Sequence, residues 1–249
     1  MDDRSIEQFS RQMLLPEWGV EAQQRLAGKR VLVVGCGGLG SSSASWLARA
    51  GVGQLCLADD DQIDVSNLHR QQFRPEQLGQ FKAQALATNL NGFADVKYQV
   101  AKVDHDWLLE HGGAFDLWLD GSDNQAVRVD LSRASIELGI PWVMGAAVAL
   151  SGQLAAFDPN EEGSACWHCV FGEQREALLN CEQAGVLGPV VGLVATLQAQ
   201  WALAYLGAGE SLPTNQLQRF DGLHLSPMKL AFAKKTVCDN CAGSSENLN

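Results

Sequence analysis

Two features of the chain could do chemistry: a glycine-rich turn backed by an acidic residue, and two pairs of cysteines. An apolar run, Val31-Leu-Val-Val34, enters the turn Gly35-Cys-Gly-Gly-Leu-Gly40, and a second apolar run ends at Asp59. Gly35, Gly37 and Gly40 fit G-x-G-x-x-G, each with a physical task. The first permits a tight turn, the second lets a phosphate or ribose approach the backbone, and the third lets the following helix pack against its strand. A helix from Leu39 to Ala50 would aim unpaired amides at an anion. An acid at the next strand end accepts hydrogen bonds from ribose hydroxyls.

The cysteine pairs are Cys166/Cys169 and Cys238/Cys241, both C-x-x-C. Each places two thiolates on one metal, and together they complete a tetrahedral Zn²⁺ site with no open position, hence a structural one. Disulfides are the other reading, disfavoured in a reducing compartment; a redox C-x-x-C explains one pair only. His168, inside the first pair, is a spectator. Cys36 and Cys56 lie in or beside core strands, where small buried hydrophobes are expected. Cys181 falls in a polar stretch before an apolar helix, either as an activated thiol able to reach a bound acyl group or as an incidental loop residue.

A polar cluster supplies charge: Ser66-Asn-Leu-His-Arg-Gln71, Lys82 and Asp120-Gly-Ser-Asp-Asn124. Arg70 offers a bidentate fork and Lys82 a point charge to a triphosphate, and Asp123, just past a strand end, stands where a Mg²⁺ ligand would. Any one of these can be a solvated surface charge. Their joint placement at strand ends, where parallel sheets bind ligands, favours a site.

The elements that must position them follow from periodicity. Helical patterns span Ile6–Leu15, Val20–Leu26, Lys82–Leu90 and Ala126–Leu138, and strands are expected at Val96–Val100, Phe115–Leu119 and Trp142–Met144. Such alternation predicts a mainly parallel, Rossmann-like α/β sheet with helices on both faces. Beyond Ser151, Gln153–Phe157, Leu217–Phe220 and Met228–Phe232 read as strands of a different sheet region, an antiparallel C-terminal extension of one domain rather than a second domain. The stretch Ala184–Gly207 is long enough to span a bilayer, but Pro189, Thr196, Gln198 and Gln200 make it a buried helix. With 249 residues and 46% hydrophobic content the chain can bury a large core. A net charge of −11 argues against nucleic-acid and anionic-membrane partners. The first residues lack a signal-peptide pattern, so a cytoplasmic setting is expected.

Taken together, Ser10-Arg-Gln12, the glycine turn, Ala50-Gly-Val-Gly53, Asp59-Asp-Asp61, Ser66–Gln71, Ser122-Asp-Asn124, the paired C-x-x-C and Ala184-Gly-Val-Leu-Gly-Pro189 resemble the ThiF/MoeB/HesA family, bacterial relatives of the ubiquitin-activating enzymes. The resemblance runs in unbroken order to Cys241. It implies an adenylyltransferase that uses ATP and Mg²⁺ to activate the C-terminal Gly-Gly carboxylate of a small ubiquitin-like sulfur carrier, in thiamine or molybdopterin biosynthesis. By match of motif, Gly35, Gly37, Gly38 and Gly40 would hold the nucleotide and Asp59 its ribose. Asn67, Arg70 and Lys82 would contact phosphates, with Asp61 and Asn124 beside them. Asp123 would bind Mg²⁺, and Cys166, Cys169, Cys238 and Cys241 would bind zinc. Arg11 would act in the partner's site of a homodimer, and Cys181 matches a crossover-loop cysteine able to bond to the carrier. On this reading residues 1–150 form the nucleotide-binding half, 151–243 the carrier-binding half and 244–249 a polar tail of one adenylation domain.

The chain departs from the family pattern at Gln8-Phe9, His69, Phe81 and Gly121-Ser122, none of them a charged site residue. No rhodanese-like extension follows, so sulfur would come from elsewhere, such as a cysteine desulfurase. The rivals are an NAD-dependent dehydrogenase, which leaves Arg70, Lys82 and Asp123 unused, a zinc-stapled scaffold that binds without catalysis, and an adenylating enzyme acting on another peptide.

Overall fold

The computed structural model describes residues 2–172, 184–224 and 226–241. Four consecutive apolar residues, Val31–Val34, make up most of β1 (Arg30–Val34), and all four are buried. A strand apolar on both faces belongs inside a covered sheet. It pairs in parallel with β2 (Gln54–Ala58) on one side and β4 (Leu117–Asp120) on the other. β3 (Asp95–Gln99) continues beyond β2, and β5 (Trp142–Val148) beyond β4, both parallel. The chain thus moves outward from β1 to β3, then returns to start β4 on β1's opposite side. That reversal opens a crevice at the carboxyl ends of β1 and β4, the usual ligand position in such sheets.

From β5 the direction alternates. β6 (Ser151–Phe157), β7 (Gln216–Asp221) and β8 (Ser226–Ala231) are antiparallel, giving one sheet in the order β3-β2-β1-β4-β5-β6-β7-β8. The expected antiparallel C-terminal extension is thus present, and it continues the same sheet. The cause is β5, which is longer than expected: its full length pairs with β6, from Trp142 opposite Phe157 to Val148 opposite Ser151.

Eight α-helices are described: α1 (Asp3–Met13), α2 (Gly19–Ala27), α3 (Gly38–Ala50), α4 (Lys82–Leu90), α5 (His105–His111), α6 (Gln125–Leu138), α7 (Trp167–Phe171) and α8 (Gly188–Leu203). Expected helices recur with boundaries shifted by a few residues. α5 was not expected, since its seven residues bury only Leu108 and show no apolar stripe. Leu39 and Leu47 of α3, Leu86 of α4 and Val194 of α8 pack with Val31, Val33, Leu55 and Leu117 on one sheet face. Leu108, Leu131 and Trp167, from α5, α6 and α7, pack with Leu32, Trp118 and Trp142 on the other. A buried side chain of this size contributes on the order of 1.5–3 kcal/mol.

The apolar segment that read as a buried helix is α8, continued by a π-helical turn at Ala204–Ala208. By length and composition it could cross a membrane, yet half of its most apolar stretch is buried in the fold. Gln198, one of the polar interruptions, is fully buried, and its Nε2 donates to the carbonyls of Asp120 (2.8 Å) and Val143 (2.9 Å). The residue that breaks the membrane pattern therefore ties α8 to the ends of β4 and β5.

Candidate active site

α3 opens at the glycine turn, with Gly37 as N-cap and no side chain capping its first amides. Those amides and the helix dipole favour an anion. Gly35 has a φ of +85°, and a Cβ there would lie 2.8 Å from the backbone nitrogen of Ser122. At Gly40 a Cβ would collide with the Gly35 carbonyl oxygen. Both glycines are therefore required by the chain itself. Gly37 differs: the nearest atom to a Cβ there is Gln71 Nε2, at 3.7 Å. Its small size gives a ligand, rather than the fold, a close approach to the backbone.

Asp59 stands where β2 ends. Its Oδ2 accepts from Cys36 N (2.6 Å) and its Oδ1 from Asp61 N (2.8 Å), which binds the acid to the glycine turn. Burial raises its carboxyl above the ordinary 3.8, while these hydrogen bonds and the nearby Lys82 charge oppose the rise. Lys82 is the first residue of α4 and is buried; its Nζ lies 2.6 Å from Asp61 Oδ2. Asn67 is fixed by reciprocal capping with Asp64 in the short turn Val65–Asn67. Arg70 donates from Nη1 to Ser66 O (2.9 Å) and lies beside His69 Nε2 (2.8 Å). Its carbonyl also packs on Gly38, where a Cβ would come within 3.0 Å of that oxygen and 2.7 Å of Val191.

The loop after β4 closes the crevice. Asp120 is fully buried; it accepts from Ser122 N (2.9 Å) and Oγ (2.5 Å) on one oxygen and from Arg128 Nε (2.8 Å) on the other. Arg128 also donates to the Ser122 carbonyl (2.8 Å), so one ion pair sets the path of Gly121–Asn124 beside Gly35 and Gly40. On that loop Asp123 is exposed, and among the described residues no hydrogen bond or ion pair engages its carboxylate. Asn124 caps α6, its Oδ1 accepting from Ala126 N (2.8 Å). The fold thus brings Gly35–Gly40, Asp59, Asp61, Asn67, Arg70, Lys82, Asp123 and Asn124 to one crevice edge. Arg128 and Gln198 support that edge; Arg128 escaped the sequence reading, and Gln198 entered it only as a polar interruption of the apolar helix, because neither carries a local spacing signal.

Arg11 is not part of this group. Its neighbour Gln12 donates to the carbonyl of Ala50 (3.1 Å), at the far end of α3 from the glycine turn. A helix of that length separates its ends by about 18 Å, too far for Arg11 to reach the turn within one chain. Cys181 lies outside the described residues.

The four paired cysteines do meet. Their sulfurs lie within 4.8 Å of one another and all four residues are buried. Cys166 Sγ is 3.8 Å from Cys169 Sγ and 3.6 Å from Cys238 Sγ, and Cys169 Sγ is 3.5 Å from Cys241 Sγ. Burial pushes the Cys166 thiol up to about 11 and the Cys241 thiol also upward. Lys235 N (3.4 Å) and Asn240 Nδ2 (3.8 Å) donate to the Cys169 and Cys166 sulfurs, as suits thiolates. Four clustered buried sulfurs fit a tetrahedral soft cation, one that would clip α7 to the segment after β8. Cys36 and Cys56 are buried, as expected.

A parallel sheet with a glycine turn, a strand-end acid and cations at one switch point defines an α/β enzyme of nucleotide-binding type. The pattern of the ThiF family matches residues 9–241. The chain is 37% identical to the sulfur carrier protein ThiS adenylyltransferase of Escherichia coli strain K12, covering 98% of both chains. It is 38% identical to mouse adenylyltransferase and sulfurtransferase MOCS3 over 88% of its own length and 48% of that protein. E. coli MccB has a similar fold, with a TM-score of 0.80 at 20% identity, covering 90% of this chain and 70% of MccB. The chain belongs to the ThiF family, and it is an adenylyltransferase.

Proposed function

We propose that the protein uses ATP to adenylate the C-terminal glycine carboxylate of a small ubiquitin-like sulfur carrier, preparing it for thiocarboxylate formation in thiamine or molybdopterin biosynthesis. The observation that carries this reading is the convergence of Arg70, Lys82, Asp59 and Asp123 on the glycine turn, in a chain matching a ThiS adenylyltransferase along almost its whole length. That match favours a thiamine-type carrier.

The carboxylate is ionised at neutral pH, so its oxygen attacks the α-phosphorus without a strong base, and the bond to pyrophosphate breaks. The protein's contribution is alignment, on the order of 7–11 kcal/mol, and charge neutralisation, about 3 kcal/mol per well-placed donor. Asp59 accepts from the ribose, and the amides of Gly37, Gly38 and Gly40 face the nucleotide. Arg70 and Lys82 receive phosphate charge, with Asn67 donating beside them. Lys82 exchanges Asp61 for phosphate, the pairing its position allows at low cost because Asp61 is largely exposed. Asp123 would hold Mg²⁺, which supplies further neutralisation of the departing pyrophosphate. Asn124, through its cap on α6, holds Asp123 in place. Cys166, Cys169, Cys238 and Cys241 would hold a structural Zn²⁺ with no part in catalysis.

The working unit in this proposal is a homodimer in which Arg11 completes the partner's site. Two observations support it: Arg11 is stranded from its own crevice, and Trp46 of α3 and Leu193 of α8 are exposed apolar side chains. Residues 1–150 serve the nucleotide and 151–243 the carrier. Cys181 is proposed as a covalent station for the activated carrier and a cysteine desulfurase as sulfur donor, all in the cytoplasm. Carrier-dependent exchange of labelled pyrophosphate into ATP tests the reading. Exchange that needs both ATP and an intact carrier C-terminus supports it, and a protein that binds the carrier without exchange overturns it.

A further inference from the structure

Gln23 of α2 is a buried glutamine that none of the roles above uses. It is 1% exposed, and both ends of its amide are engaged. Its Nε2 donates to the carbonyl of Ala50 (2.8 Å), the last residue of α3, which like the others of a final turn has no acceptor role along its own helix. Its Oε1 accepts from Trp18 Nε1 (2.9 Å) and from Gln12 Nε2 (3.2 Å), and Gln12 Nε2 also donates to Ala50 O (3.1 Å). Gly51 makes room for this knot. Its φ is +99°, and a Cβ there would lie 2.6 Å from Gln23 Nε2 and 2.7 Å from Phe9 Cζ.

α1 needs such a fastening. Among its described residues none is fully buried, so apolar burial holds it weakly. The knot itself is anchored in the fold: a Cβ at Gly207 would collide with the Trp18 ring, and Arg25 Nε of α2 donates to the Gly207 carbonyl (2.8 Å). Directional bonds from Gln12 and Gln23 therefore set the pose of α1 on the end of α3. Arg11 is exposed and immediately precedes Gln12, so its direction follows from that pose. Gln23 is enclosed by its own chain and reaches a second subunit only through α1.

We infer that Gln23 is a positioning residue for adenylyl transfer: by tying α1 to the last residue of α3, it aims Arg11 at the partner's crevice. The inference rests on the proposed homodimer and adds to it a residue that touches neither nucleotide nor carrier. α3 then serves two sites. Its first turn faces the nucleotide of its own chain, and its last residue holds the helix that carries the arginine of the other.

Two variants of the full-length protein test this. Gln23→Met keeps the bulk and removes the hydrogen bonds; Gln12→Leu cuts α1 from an otherwise intact knot and takes its place if Gln23→Met does not fold. A displacement of about 1 Å at a reacting site costs on the order of 10²-fold, and pyrophosphate exchange is expected to fall by about that factor. Subunit mixing then shows which site is damaged. With Arg70→Ala, exchange is expected to recover to about a quarter of wild type, because about half of the dimers are mixed and each has one site with its own Arg70 and a correctly held Arg11. With Arg11→Ala no recovery is expected, because neither site receives a correctly held Arg11. A general loss of stability gives no such asymmetry. Exchange within twofold of wild type in the folded variant, or recovery with Arg11→Ala, overturns the inference. So does failure to recover with Arg70→Ala when Arg11→Ala and Arg70→Ala restore each other. Failure of those two arginine variants to restore each other overturns the dimer reading instead.

Discussion

Charge at the crevice is held in reserve by short-range pairs: Lys82 with Asp61, Arg70 with Ser66 O and His69. Asp123 carries no such pair among the described residues, unlike Asp59 and Asp61. If those groups meet phosphate and Mg²⁺, Asp123→Ala and Arg70→Ala should each lower pyrophosphate exchange by about 10²–10³-fold and leave melting near wild type. Near-normal exchange in either variant removes that residue from the site. Asp59 gives a pH signature. Its raised carboxyl binds a proton more tightly in the folded chain than in the unfolded one. The resulting stability is complete below the ordinary 3.8 and disappears as pH rises through the folded value. Ribose recognition runs the other way, because it uses the ionised form. ATP affinity should therefore be full at neutral pH and decline in mild acid, above the range of an ordinary aspartate. Affinity that stays flat through that range contradicts the role, as does an Asp59→Asn variant with an unaltered profile. Cys181→Ala should keep pyrophosphate exchange within a few-fold and lose any thiol-sensitive conjugate with the carrier; loss of exchange would assign it to the ATP site. At this scale the sequence was most legible where spacing is local. Gly35 to Gly40 and the C-x-x-C pairs declare themselves, whereas Arg128 meets Asp120 across a loop and a helical turn that no motif links.

Elements were legible where burial is periodic. β1, β2, α3 and α4 each bury a regular set of apolar positions, so their patterns predict them. α5 hides because one buried leucine makes no stripe, and strand partnership hides because alternation reveals a face without naming a neighbour. The cysteine cluster joins elements distant in sequence: α7, and the segment after β8. Cross-links of this kind are worth on the order of 10 kcal/mol to the local fold when zinc is bound. Cys238→Ser should lower both bound zinc and melting temperature while ATP binding persists. Metal analysis that finds no zinc in the native protein, or a variant that melts unchanged, removes the clip.

At the scale of the whole molecule, one chain holds a crevice with most of its cations and an arginine that cannot reach it. Gln12 and Gln23 both donate to the carbonyl of Ala50, so α1 is fastened at the far end of α3 rather than left to swing. A closed two-fold dimer is the arrangement that gives each Arg11 one site and each site one Arg11. The claim can be tested without a structure of the dimer. Arg11→Ala and Arg70→Ala are each expected to be inactive alone, since every site in either homodimer lacks one cation. Refolded or co-expressed together, about half of the dimers are mixed by chance, and each mixed dimer has one site missing both arginines and one intact. Pyrophosphate exchange should then recover to about a quarter of wild type. Two inactive variants that stay inactive when mixed, though shown to exchange subunits, place Arg11 outside the partner's site. Activity retained by Arg11→Ala alone does the same more directly.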